Sequence, residues 1–299
     1  MSFQRIIIGM DFSETAIAAA KWASTYFAPA AELVLVHVIE PADRPRFALH
    51  RLPSPDVVET AARDYAATRM QEVMTFLTPS VARREVRVGK PNAVISELAR
   101  EVNADLIVVG PHGDRPRPSK FLGTAAERLV RSSTVPVLVA TIPPASAPHN
   151  LLVAIDDSDN TPRVLEYARD LATAFDAEVT LLHVWSNAVY SHVASMSYAT
   201  ADSESEARAE IHRTLSEEGA RWLRKLAATG LPERRVTAAV TYGKPGDAVV
   251  DMARAMAADL VVMGRQGSGL VAPAILGSTV STVLHGVRCP VLVVTEEGA

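Results

Sequence analysis

The sequence predicts an α/β protein of two tandem, doubly wound domains, each a five-stranded parallel sheet flanked by helices. Three observations predict it. The chain is written twice: IIIGMDFSE at 6–14 answers LLVAIDDSD at 151–159, GKPNAVI at 89–95 answers GKPGDAVV at 243–250, and ADLIVVG at 104–110 answers ADLVVMG at 258–264. Each copy alternates short apolar runs with longer helical patterns, as β-α-β units do. The apolar runs are continuous Val, Ile and Leu, which suits strands covered on both faces.

Taken in order, strands are expected at 5–10, 32–38, 84–88, 105–110 and 136–140, and again at 150–155, 178–184, 234–240, 259–264 and 290–294. Helices are expected at 13–27, 55–77, 91–102 and 123–132, with counterparts at 159–175, 203–228, 245–256 and 277–286. Ser54 can cap a helix that opens on Pro55, and Gly230 can end the long helix of the second copy. The offset between copies is 146 from His37 to His183 and 154 from Gly89 to Gly243, so the second copy is eight residues longer between its second and third strands. Proline and small polar residues break the pattern in TIPPASAPHN, which places the domains at 1–142 and 149–299 with a linker at 143–148.

Composition bounds the function. The 299 residues are 48% hydrophobic and 21% charged with a net charge of -4, so no bias toward nucleic acid is present. Cys289 is the only cysteine, which excludes an internal disulfide and any multi-cysteine metal site and fits a reducing cytoplasm. No apolar segment approaches the roughly 18 residues of a membrane span, and the N-terminus has no signal-peptide layout. A soluble cytoplasmic protein is expected.

In open parallel sheets ligands bind beyond the carboxyl ends of the strands. The first strands end at Asp11 and Asp156, which either meet a ligand or shape the turn into the next helix. The second strands end in His37-Val38 and His183-Val184. With no spaced partners for a metal, both histidines read as core residues. The fourth strands end in GPHGDRPRPSKFLGTA, from Gly110, and GRQGSGLVAPAILGST, from Gly264. Gly110 and Gly264 close the strand, Gly113 and Gly267 permit a tight turn with exposed amides, and Gly123 and Gly277 open the next helix. A helix N-terminus offers unpaired N–H donors and about half a positive charge, so with the spacing repeated in both copies phosphate binding is expected ahead of the alternative that the glycines serve only the turns. Thr124 and Ser278 add a hydroxyl. Neither motif is a standard phosphate loop or dinucleotide fingerprint.

These residues resemble the universal stress protein family in its tandem form: DFSE and DDSD, the strand-two HV, the ADLIVVG and ADLVVMG strands, the G-x2-G-x9-G-[ST] spacing, and the closing VPVLVA and CPVLVV. The resemblance implies a Rossmann-like sheet of the adenine nucleotide alpha hydrolase type, with ATP or another adenine nucleotide at the strand ends. Asp11 and Val38, and Asp156 and Val184, would contact adenosine. Gly110, Gly113, Gly123 and Thr124, and Gly264, Gly267, Gly277, Ser278 and Thr279, would wrap the phosphates. Family members pair through their fifth strands, which implies an intramolecular pseudo-dimer and leaves homodimerisation open.

The copies differ. Pro111 has no N–H to give, and Asp114 repels phosphate unless Arg115, Arg117 or Lys120 offsets it. The second loop carries no acid, and Gln266 and Ser268 can donate, so the second site is ranked first; the alternative is that the first loop's cations make it tighter. No loop residue offers a clear general base, no firm metal site is expected, and magnesium would enter through the nucleotide phosphates near Asp156 and Asp157. The expected function is a regulatory nucleotide-binding protein read by an unidentified protein partner, at most a weak ATPase. A true ATPase or phosphotransferase, and a scaffold with other ligands or none, are the alternatives. Segments 40–55 and 185–202 read as ordinary loops, with lids or partner surfaces as the alternatives, and Cys289 as a buried small hydrophobe rather than a redox sensor.

Overall fold

The computed structural model describes residues 3–27, 31–40, 55–77, 82–113, 123–186, 204–231, 235–266 and 276–296, and the chain divides into two compact units between Ala145 and Ser146. The first unit runs β1 (Arg5–Gly9), α1 (Glu14–Tyr26), β2 (Glu32–Ile39), α2 (Pro55–Met74), β3 (Ala82–Val88), α3 (Pro91–Glu101), β4 (Leu106–Val109), α4 (Thr124–Ser132) and β5 (Val137–Val139). The second runs β6 (Asn150–Ile155), α5 (Thr161–Phe175), β7 (Glu178–Trp185), α6 (Glu204–Ala227), β8 (Val236–Tyr242), α7 (Pro245–Ala255), β9 (Leu260–Gly264), α8 (Ser278–Gly286) and β10 (Val291–Val294). Every expected strand and helix is present, with ends displaced by three residues or fewer. Ser54, expected as a cap, lies outside the described residues. Gly230 follows the end of α6, where its N–H donates to the Ala227 carbonyl at 3.2 Å.

Within the first unit the strand order is β3-β2-β1-β4-β5, and all pairs are parallel. Within the second it is β10-β9-β6-β7-β8, again parallel. The chain winds outward from the first strand of each unit, returns, and winds the other way. The reversal falls between β1 and β4, and between β6 and β9, and it opens a crevice at the carboxyl ends of those strands. Apolar runs fill the sheet centres as two-faced burial requires: Ile6, Ile7 and Ile8, and Leu151, Leu152 and Val153, are fully buried.

Both ends of each sheet are held by repeated polar residues. At the amino end, the Asp105 carboxylate accepts from the backbone of Gln4 at 2.6 Å and Arg5 at 2.9 Å. Asp259 does the same for His149 and Asn150, each at 2.9 Å. The aspartate of the ADL motif is therefore a structural staple, on the side of the sheet away from the crevice. At the carboxyl end, the Gly-Lys-Pro corners turn β3 into α3 and β8 into α7. Gly89 at φ 150 and Gly243 at φ 131 take backbone angles that other residues avoid. Pro91 and Pro245 then occupy the first helical turn, where a missing N–H costs nothing.

Among the described residues, the non-glycine positions with positive φ are Phe12, Asn103, Asp176 and Ala257. Asn103 and Ala257 are counterparts just beyond the ends of α3 and α7. Phe12 stands at the end of β1, and its counterpart Asp157 has no such backbone.

Candidate functional site

Each crevice forms a cavity. The first, about 360 Å³, is lined by Asp11, Val38, Gly110, Gly113, Gly123 and Thr124 together with Met10, Glu40, Pro91, Ile95 and the first turn of α4. The second, about 370 Å³, is lined by Asp156, Val184, Gly264, Gln266, Gly277, Ser278 and Thr279 together with Asp157, His183, Trp185, Pro245, Val249 and Arg265. Both fall at the lower end of the range for small-molecule sites, roughly 300–1,000 Å³. All six residues expected at the first site thus meet around one cavity. Of the nine expected at the second, seven do so, and Gly267 and Ser268 lie outside the described residues.

The acidic residue at the end of β1 does two things. Asp11 Oδ1 accepts from the Ser13 backbone at 3.0 Å and the Ser13 hydroxyl at 2.6 Å. Ser13 in turn accepts from Ala16 N at 3.2 Å and so caps α1. Thr15 extends the chain of hydroxyls to the His112 carbonyl at 2.8 Å, which ties the loop after β4 to the start of α1. The other carboxylate oxygen of Asp11 faces Gly113 so closely that a Cβ there would lie 2.6 Å from it. In the second copy Asp156 Oδ1 accepts from the Ser158 hydroxyl at 2.7 Å, and the Asp156 carbonyl accepts from Thr161. Here Asn160 occupies the cap position without capping, and its amide donates to the Val294 carbonyl at 3.1 Å.

The glycines have local reasons that differ by position. A Cβ on Gly110 would sit 3.1 Å from Ala16 N, and one on Gly264 3.1 Å from Asn160 Nδ2, so both strands end against the start of a helix. Gly123 donates to the Pro111 carbonyl at 2.6 Å, and its Cβ would crowd His112 and Pro111 at 3.2 Å. Gly277 is looser: among the described residues its Cβ would meet only the Arg265 carbonyl, at 3.4 Å. Crowding therefore accounts for Gly110, Gly113, Gly123 and Gly264, and much less for Gly277.

Helices α4 and α8 start at Gly123 and Gly277, and neither has a side-chain cap. Glycine supplies no acceptor, so among the described residues the first N–H groups of both helices have no side-chain cap where they open on the cavities. The electrostatic setting is unequal. Glu127 lies in the first turn of α4, whereas the first turn of α8 has no acid. Acids line the rest of the first cavity, Asp11 and Glu40. In the second, among the described residues, the wall carries Asp156 and Asp157 together with one cation, the guanidinium-bearing Arg265, which is only 3% exposed; the first loop's Asp114, Arg115, Arg117 and Lys120 lie outside the described residues.

Sequence reasoning did not reach several of these residues. Pro91, Ile95, Pro245 and Val249 look like ordinary core apolar positions until the first turns of α3 and α7 become cavity wall. Arg265 sits inside the glycine motif itself, and its contrast with Pro111 in the other copy was the available signal. His183, read as core, is buried as expected but also lines the second cavity. His37 is held alike, Nδ1 to the Met10 carbonyl at 2.8 Å, but with the Phe12 ring 4.7 Å away.

Comparison with known proteins agrees with this architecture. The chain matches the Universal stress protein family twice, over residues 2–141 and 148–295. It is 27% identical to universal stress protein Rv2005c of Mycobacterium tuberculosis over 305 residues, covering 97% of each chain. A shorter universal stress protein of Thermus aquaticus is 31% identical over 144 residues, 48% of this chain and 96% of its own. Among solved structures, a universal stress protein from Archaeoglobus fulgidus superposes with a TM-score of 0.65 at 20% identity, covering 98% of this chain and 96% of that one. With the family matched in both halves over the same β-α-β frame, the chain belongs to the universal stress protein family and carries its domain in tandem.

Proposed function

We propose that this protein is a regulatory binder of an adenine nucleotide, ATP being the first candidate, at the strand ends of one or both copies, and that the second cavity is the preferred site. One observation carries the reading: the uncapped starts of α4 and α8 open onto cavities at the sheet's reversal point. A phosphate group would satisfy those N–H donors and the positive end of the helix together. In the second copy Ser278, Thr279 and Gln266 would add neutral donors, and Arg265 a cation. Ile155, Leu182 and Val249 offer an apolar wall for the base, with Asp156 and Val184 at the adenosine end. In the first copy Pro111 has no N–H to add, and among the described residues the lining acids Asp11 and Glu40 are joined by no Lys or Arg in the wall.

A magnesium ion would arrive with the nucleotide, near Asp156 and Asp157; among the described residues no group of three or more His, Cys, Asp or Glu has a geometry suited to a resident metal. None of the described helices is long and apolar enough to cross a membrane. The reading extends to a cytoplasmic protein whose bound state is sensed by a partner or by its own assembly, with hydrolysis slow at most. Titration calorimetry with ATP on the full chain tests it. Gly277→Val should abolish the tighter binding event and Gly123→Val the weaker one; loss of the tighter event in Gly123→Val alone reverses the ranking, and a wild-type chain that binds no adenine nucleotide defeats the reading. Single-turnover cleavage on the timescale of binding would establish an ATPase instead.

A further inference from the structure

The two strand-two histidines share a sequence context and a first hydrogen bond but not a fate. His183 Nδ1 lies 3.0 Å from the Ile155 carbonyl. A carbonyl oxygen only accepts, so Nδ1 carries the hydrogen, and the neutral ring then presents a bare lone pair at Nε2. That Nε2 is buried with no hydrogen-bond partner among the described residues, in a side chain only 7% exposed that lines the second cavity. A buried acceptor without a donor is an unfavourable arrangement that calls for an explanation.

The copies differ beside the ring. In the first, Phe12 lies over His37 at 4.7 Å, itself edged by Tyr65 at 6.1 Å, and His37 is not among the residues lining the first cavity. In the second, Asp157 takes the place of Phe12 and lines the cavity, while Trp185 and Trp222 hold the imidazole edge-on at 4.5 and 5.1 Å. The ring is thus fixed by aromatic contacts and by its Nδ1 bond, and where the first copy covers its histidine with Phe12 the second has Asp157 on the cavity wall.

We propose that His183 is a ligand-contacting residue of the second cavity, its Nε2 accepting a hydrogen bond from an O–H or N–H donor of the bound nucleoside, and that the first cavity lacks this contact. The proposal rests on the nucleotide reading and adds to it a discriminating residue that sets the copies apart. His183→Asn is the informative variant, because the Asn amide can keep the bond to the Ile155 carbonyl while removing Nε2. Calorimetry on the full chain with ATP should show about a tenfold weaker binding event, the order expected for one lost hydrogen bond. His37→Asn should leave both events unchanged. Among 2′-deoxy, 3′-deoxy and 6-desamino analogues of ATP, one should lose the same factor on wild type and nothing further on His183→Asn, which identifies the donor.

Binding by His183→Asn equal to wild type, or no analogue losing affinity, overturns the proposal and leaves the nucleotide reading standing. No nucleotide binding by wild type defeats both. Should His183→Asn fail to fold, the ¹⁵N resonance of wild-type His183 Nε2 decides: it should move on ATP addition, and an unmoved resonance overturns the proposal.

Discussion

The two copies agree at one end of the sheet and diverge at the other. At the amino end, Asp105 and Asp259 pin equivalent backbone amides with nearly the same geometry. At the carboxyl end, Pro111 in the first copy corresponds to Arg265 in the second, Phe12 to Asp157 and Glu40 to Ser186, and Glu127 has no acidic counterpart in the first turn of α8. The helices beyond the second cavity also approach more closely: a Cβ on Gly246 would lie 2.6 Å from Thr282, and one on Gly286 2.6 Å from Val250, where the first copy has Asn92 and Ser132. Duplication preserved what the fold needs and released what the cavity holds. The difference argues for two pockets of nearly equal volume and unlike electrostatics.

The largest expected effect concerns the buried cation. Arg265→Met should weaken ATP at the second cavity by about ten- to a hundredfold, the scale of a lost charge-assisted bond, and weaken adenosine far less. Equal losses for ATP and adenosine, measured by calorimetry, would break the electrostatic contrast between the copies. A smaller effect tests the backbone. At matching left-handed positions the first copy has Asn103 at φ 50, which tolerates that conformation, and the second has Ala257 at φ 49, which does not. Ala257→Gly should therefore stabilise the second copy by about 0.5–1 kcal/mol, seen as a rise of about 1–4 °C in its calorimetric transition. Asn103→Gly should gain much less.

The smallest effect is a chemical one confined to the second copy. Cys289 is half-buried rather than fully buried as expected, and desolvation still pushes its thiol up to about 12, far above the usual thiol range near 8.5. The thiolate is the reactive form and appears only as pH rises through the folded value. Alkylation of the native chain at pH 8 should be slow and should accelerate steeply above pH 10, whereas the unfolded chain should react readily at pH 8.

Much of this was legible in the sequence because the repeat states every element twice and the apolar runs have only one period to obey. The strands, helices and glycine spacing follow from such patterns. So did the grouping of Asp11 with Gly113 and of Asp156 with Gly264, since strand ends in a doubly wound sheet must converge. What escaped depended on side-chain neighbours that no periodicity encodes. His183 and His37 sit in the same His-Val context; what separates them is the residue after the strand-one aspartate and the aromatic neighbours, Trp185 where the first strand has Ile39, and Trp222 from a distant helix. Arg265 is long enough to have reached solvent, and only the packing at the end of β9 buries it. Ser13 rather than Asp11 caps α1 because the carboxylate is already engaged with Ser13.

Tryptophan is distributed as unevenly as charge. Of three in the chain, Trp22 is buried on α1 against Phe27 at 5.0 Å, and Trp185 and Trp222 flank His183. Trp185 lines the second cavity, whereas Trp22 does not line the first. Among the described residues, therefore, only the second cavity has a tryptophan in its wall, and a change in intrinsic emission on ligand addition reports filling of the second cavity more directly than of the first.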